Sequence, residues 1–105
     1  IFIPAVTILN DAETPFVPSG YALHQNIPNP FSSATTIQFE VPAVMHVRVS
    51  IHDALGRQVA ELVNDVRDAG RHSVHFDAGT LPSGTYLCRV EAGPVILQRL
   101  LSILR

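Results

Sequence analysis

From Tyr21 onward the chain alternates apolar and polar residues with a period of two. Ile37, Phe39 and Val41 share one parity while Thr36, Gln38 and Glu40 share the other, which is the pattern of a strand with one buried face. Val47, Val49 and Ile51 repeat it against Arg48, Ser50 and His52. His72, Val74 and Phe76 do so against Arg71, Ser73 and His75, and Tyr86, Cys88 and Val90 form a further inward set. Tyr21 to Gln25 reads as a short first strand and Gln58 to Val63 as the return partner of the Val47 strand. The last run, Val95 to Leu104, carries apolar residues on both parities. It is therefore either buried on both faces or left as an edge that a partner covers.

The corners between these runs are specified by turn chemistry. Asp53 followed by Gly56 suits a type I turn whose glycine takes positive φ, closing a hairpin between the Val47 and Gln58 strands. Pro82 and Gly84 predict a second tight turn over Leu81–Gly84, and Gly93-Pro94 ends the strand that follows. Asn64 to Gly70 reads as a polar connector, with a single helical turn over Val63–Arg67 as the alternative, too short to be stable on its own. Asp53, Gly56, Gly70, Pro82 and Gly84 are thus expected to set backbone shape. Pro28 and Pro30 push Ile27 and Asn29 into extended conformation, which delivers Phe31 at a defined point.

Seven short strands joined by tight links predict an all-β fold: a seven-stranded antiparallel sandwich of immunoglobulin-like layout, with a small barrel as the alternative. Residues 1–20 hold Pro4, Pro15, Pro18, Ser19-Gly20 and the acidic Asp11 and Glu13. That composition reads as an extended linker with a remnant of a preceding domain, leaving 21–105 as the sandwich. Ile1 to Leu9 lacks a basic leader and is interrupted by Pro4, so it does not read as a signal peptide.

Composition narrows the chemistry. A chain of 105 residues buries roughly 60 to 70% of its extended surface on folding, enough for a core without staples. Its apolar runs are far short of the ~20 residues of a membrane helix, so no membrane insertion is expected. The net charge is −2, with seven arginines and no lysine, which argues against nucleic acid as a partner. Cys88 is single and falls on an inward parity, where a thiol is an apolar filler. His72 and His75 are three apart on a strand and face opposite sides. His46 and His52 share a side but lie about 20 Å apart. No metal or other cofactor is expected. The carboxylates are scattered, no phosphate loop opens a helix, and no nucleophile has a base at a readable spacing, so the chain is not expected to be an enzyme and no small-molecule substrate is expected. Without tryptophan, and with Phe39, Phe76 and Tyr86 facing inward, a sugar-stacking surface is the weaker reading. Tyr86 is instead placed to tie its hydroxyl to backbone at a sheet corner.

Leu23-His24-Gln25-Asn26-Ile27-Pro28-Asn29-Pro30-Phe31, Thr35-Thr36-Ile37-Gln38-Phe39, Asp53-Ala54-Leu55-Gly56-Arg57-Gln58-Val59, Ala69-Gly70-Arg71-His72 and Leu81-Pro82-Ser83-Gly84-Thr85-Tyr86 occur in that order. In this order they resemble the C-terminal sorting domain of type IX secretion substrates, across residues 21–105. The sequence departs from the family's usual pattern at Ile27, Ser32-Ser33, His52, Gln98 and Arg99. The resemblance implies a non-catalytic secretion and cell-surface sorting signal attached to an N-terminal cargo, in Bacteroidetes and relatives. Its partners would be the type IX secretion machinery and a sortase-like peptidase cutting near residues 10–22. The route would run through the periplasm and across the outer membrane to the cell surface or the medium. The alternative is an immunoglobulin-like spacer or carbohydrate-binding module of a secreted polysaccharide hydrolase.

The recognised surface is expected to combine the corner Pro28, Asn29, Pro30 and Phe31 with the last strand, including Arg99, Leu101, Ile103 and Arg105. The competing reading is that the last strand simply completes the sandwich. Arg57 either pairs with Asp53 or Glu61, or offers its charge to the translocon.

Overall fold

The computed structural model describes residues 6–8 and 19–105, and every regular element among them is a strand. They are β1 (Val6–Ile8), β2 (Ala22–Leu23), β3 (Ala34–Val41), β4 (Met45–His52), β5 (Gln58–Arg67), β6 (Gly70–Asp77), β7 (Gly84–Ala92) and β8 (Val95–Ile103). A five-stranded sheet has the order β1-β8-β7-β4-β5 and a three-stranded sheet the order β2-β3-β6. β2 to β8 pair antiparallel throughout. The all-β, sandwich-like arrangement expected from the period of two is therefore the one found.

The alternation places the core. Ile37, Phe39 and Val41 from β3 and Phe76 from β6 meet Val47, Val49 and Ile51 from β4, Tyr86, Cys88 and Val90 from β7, and Leu97, Leu101 and Ile103 from β8. All are buried, and Phe39, Val47, Val49, Ile51 and Val90 are fully so. Each buried side chain of this size contributes about 1.5–3 kcal/mol relative to exposure. Strand polarity follows from that term: a slip of one residue would turn the whole apolar set into water.

Three local expectations are corrected. Val6–Ile8, inside the stretch read as a linker, pairs parallel with β8 at Val95–Leu97 and adds an eighth strand. Asn64–Arg67 is not a connector but the second half of β5, because Met45–Arg48 of β4 runs beside it. Polar Asn64 and Asp65 are tolerated there because β5 is the outermost strand and presents them to solvent. The hydrogen-bonded turn before β7 lies at Ala78–Leu81, with Leu81 N–H donating to Ala78 O at 3.0 Å, rather than at Leu81–Gly84. Gly79 supplies the positive φ, at 57°. Pro4, Asp11, Glu13, Pro15 and Pro18, and most of the 10–22 segment where the resemblance places a cut, lie outside the described residues.

Candidate recognition surface at the proline corner and the last strand

The chain between β2 and β3 changes sheets. Ile27 is still bridged to Thr36 of β3, with both backbone bonds at 3.0 Å, whereas Phe31 pairs with Ile103 of β8. Between them Asn26 Nδ2 donates to Pro28 O at 2.9 Å and to Thr35 Oγ1 at 3.1 Å, and Thr35 Oγ1 donates to the same carbonyl at 2.7 Å. Asn26 and Thr35 are buried. Their side chains satisfy a carbonyl that proline geometry leaves without a ladder partner. The peptide bonds Ile27–Pro28 and Asn29–Pro30 are both cis.

This corner caps the outer edge of β8. Phe31 N–H donates to Ser102 O at 3.0 Å and Leu104 N–H donates to Phe31 O at 2.8 Å. Ser102 N–H donates to Asn29 Oδ1 at 3.0 Å, and Gln25 Nε2 donates to Leu100 O at 3.2 Å. Arg99 Nε donates to Leu23 O at 2.8 Å and its Nη1 to Gln25 Oε1 at 3.1 Å. An edge otherwise open to strand addition is thus occupied by residues 23–31, and β1 occupies the rest.

The residues expected to form one surface are brought together, though not all face outward. Pro28, Asn29 and Pro30 are exposed. Phe31, Leu101 and Ile103 are buried, and Phe31 meets Phe76 edge-on at 5.9 Å between ring centroids. The apolar side chains that β8 and its end present to solvent are instead Leu100 and Leu104, with Ile27 exposed at the corner. The mixed parity of the last run hid this, because the sequence did not reveal which parity faces in. Arg105 lies against the loop before β7. Its Nε donates to Leu81 O at 2.8 Å, its Nη2 to Gly79 O at 2.6 Å and its backbone N–H to Ser83 Oγ at 3.0 Å.

The Asp53 turn forms as its sequence specifies. Gly56 N–H donates to Asp53 O at 3.0 Å, and Gly56 has φ 84°. The Asp53 carboxylate accepts from the N–H groups of Leu55 and Arg57, both at 2.9 Å, and from Arg57 Nε at 2.8 Å. These donors, the Arg57 backbone N–H foremost, hold its pKa below the ordinary carboxylate value. Of the alternatives for Arg57, the structure selects Asp53 as its ionic partner. Gly70 and Gly84 open β6 and β7 with φ 123° and 156°, and the Pro82 carbonyl accepts from Tyr86 Oη at 2.7 Å, the expected corner tie.

Two arrangements escaped the sequence reading. Arg48 is ringed by Glu61 at 2.9 Å, Glu91 at 3.3 Å and Gln58 at 2.5 Å, a cross-strand network whose members are far apart in sequence. Glu61 is held below its ordinary value, with the Arg48 hydrogen bond the leading cause. Ser50 Oγ lies 2.9 Å from His52 Nε2. Their shared parity could have revealed this pair. Ser50 is fully buried, so its hydroxyl cannot meet a substrate. Burial also pushes the Cys88 thiol up to about 12. Among the described residues no three His, Cys, Asp or Glu side chains converge as a metal site.

The exposed large apolar side chains among the described residues are all aliphatic: Ile27, Val44, Leu55, Val66, Leu100 and Leu104. Such side chains offer no flat ring for stacking on a sugar. The architecture places the chain among the small all-β sandwich domains.

Residues 26–101 match the family of secretion system C-terminal sorting domains, and the chain belongs to that family. The family is in general non-catalytic, acts with a type IX secretion machinery, and carries an attached cargo toward the exterior of the cell. No curated protein matches the chain.

Proposed function

We propose that this sandwich is the sorting signal that directs an attached N-terminal cargo across the outer membrane, and that it catalyses nothing itself. The family match over the sandwich carries this reading. Residues 21–105 act as the signal and residues 1–20 join it to the cargo, with a sortase-like peptidase cutting near residues 10–22. The cargo then ends at the cell surface or in the medium.

The machinery reads the corner and the end of β8 as one surface. Pro28, Asn29 and Pro30 provide its exposed ridge, while Phe31, Leu101 and Ile103 fix its shape from beneath. Arg99 and Arg105 hold its margins, and Arg57 stands on a neighbouring turn. The decisive experiment fuses residues 1–105 to a periplasm-directed reporter in a host with a working type IX system and fractionates the cells. Reporter at the surface or in the medium is expected. Reporter trapped in the periplasm while the fused domain is folded would overturn the assignment. Replacing Ile27 and Leu104 by serine, which touches no buried position, is expected to lower export without unfolding the domain.

A further inference from the structure

The Asp53–Arg57 turn and the Leu81–Tyr86 corner face each other across a largely apolar groove of about 350 Å³, lined by Leu55, Val59, Leu81 and Tyr86 together with the ion-paired Asp53 and Arg57. A second hollow of about 310 Å³ continues it past Ala54 and Thr85 to Leu87 and Leu100. Leu55 is 78% exposed and Leu100 55% exposed.

Two observations give this trough a direction. The first is a gap in the ladder. β7 is paired with β8 from Gly84 onward, whereas its pairing with β4 begins only at Leu87. Gly84, Thr85 and Tyr86 therefore have a strand on one side only, and no backbone hydrogen bond joins them to the turn over 53–57. A short stretch of unpaired strand edge accepts extended backbone. The second is charge. Arg57 is held by Nε to Asp53 at 2.8 Å, and among the described residues neither of its Nη atoms makes a hydrogen bond. Its side chain is 73% exposed, whereas that of Asp53 is only 16% exposed behind its own donors. Arg57 therefore keeps, beside its bond to Asp53, Nη donors from which a second carboxylate can accept.

The geometry points to a binding site for an extended peptide segment of a partner protein, carrying one acidic side chain between aliphatic ones. Its backbone pairs with Gly84–Tyr86, its carboxylate meets the Arg57 Nη donors, and its apolar side chains lie against Leu55 and Leu100. This site rests on the sorting reading only for the identity of the partner, the secretion machinery. It lies on a different turn from the proline corner.

The test is a titration of the isotope-labelled 105-residue chain with acetyl-Val-Leu-Glu-Val-Leu-amide, followed by amide shifts, beside the same peptide with glutamine in place of glutamate. Shifts confined to Leu55, Arg57, Gly84–Tyr86 and Leu100 are expected, with the glutamine peptide about tenfold weaker, as one charge-assisted contact implies. Arg57→Gln should weaken the glutamate peptide by the same factor and leave the glutamine peptide unchanged. Leu55→Ser, at a side chain that supports no core contact, should weaken both. Absence of shifts at millimolar peptide, shifts elsewhere, or equal binding of the two peptides overturns the site. A wild-type reporter that stays in the periplasm would sink the sorting reading and leave the titration standing.

Discussion

Phe31 is the residue through which the proline corner is joined to both sheets, and truncating it has a calculable effect. Its side chain is 3% exposed, its ring meets Phe76 of the three-stranded sheet, and its backbone exchanges hydrogen bonds with Ser102 and Leu104 at the end of the five-stranded sheet. Phe31→Ala keeps the backbone bonds but removes the ring from a closed site. The lost transfer energy and the cavity together cost about 3–5 kcal/mol. Phe31→Leu refills most of the volume and forfeits mainly the edge-on ring contact, about 1 kcal/mol. A domain of this size has a total stability of about 5–15 kcal/mol, so the alanine variant loses a large fraction of it. With an m-value of about 1.5 kcal/mol/M the alanine substitution moves the urea midpoint down by about 2–3 M, and leucine by less than about 1 M. Circular dichroism at the β-sheet band measures both. An alanine midpoint within about 0.5 M of the parent, or leucine as damaging as alanine, would show that Phe31 does not close the core.

Three further outcomes follow from the same geometry. Cys88 is buried with its thiol pushed up to about 12, so Ellman's reagent at about pH 8 should leave the folded chain unmodified and titrate the thiol fully in denaturant; fast reaction of the native chain would refute its burial. Glu40 is held below the ordinary value of 4.5 chiefly by the hydrogen bond to His24 Nε2 at 2.7 Å, and Glu61 likewise by Arg48. Their folded values lie below their unfolded ones, so their stabilisation is complete above the unfolded value and is lost as pH falls through the folded one; urea midpoints should drop as pH is taken below 4.5, and Glu40→Gln should flatten that drop. Gly56→Ala meets open space and only the strain of φ 84°, about 1 kcal/mol, whereas at Gly20 an added Cβ would lie 2.5 Å from Pro42 Cβ at φ 86°, so Gly20→Ala should lower the melting temperature more; the reverse order would refute the packing of that turn on Pro42.

The strands were legible because the sheet has one dry face per strand: Ile37, Phe39, Val49, Ile51, Cys88 and Val90 declare their side by parity alone. The Asp53 turn was legible because its chemistry is local, carboxylate to backbone within four residues. What the sequence did not disclose depends on neighbours brought from afar. Polar Asn64–Arg67 becomes strand only because Met45–Arg48 lies alongside. Val6–Ile8 becomes strand only because Val95–Leu97 leaves an edge free. Parity in Val95–Leu104 is ambiguous because leucine occupies both sides, and only the pairing with β7 and the corner assigns Leu101 inward and Leu100 outward. The site is partly hidden for the same reason, since Asn29 and Ser102 meet across 73 positions of chain.

The stitching of residues 23–31 onto β8 has a consequence for timing. Leu23, Gln25, Asn29 and Phe31 find their partners at residues 99–104, so the ridge they form exists only once that distant segment is folded beside them. A receptor that grips this ridge would therefore be reading a fold in which two segments some seventy positions apart have already met.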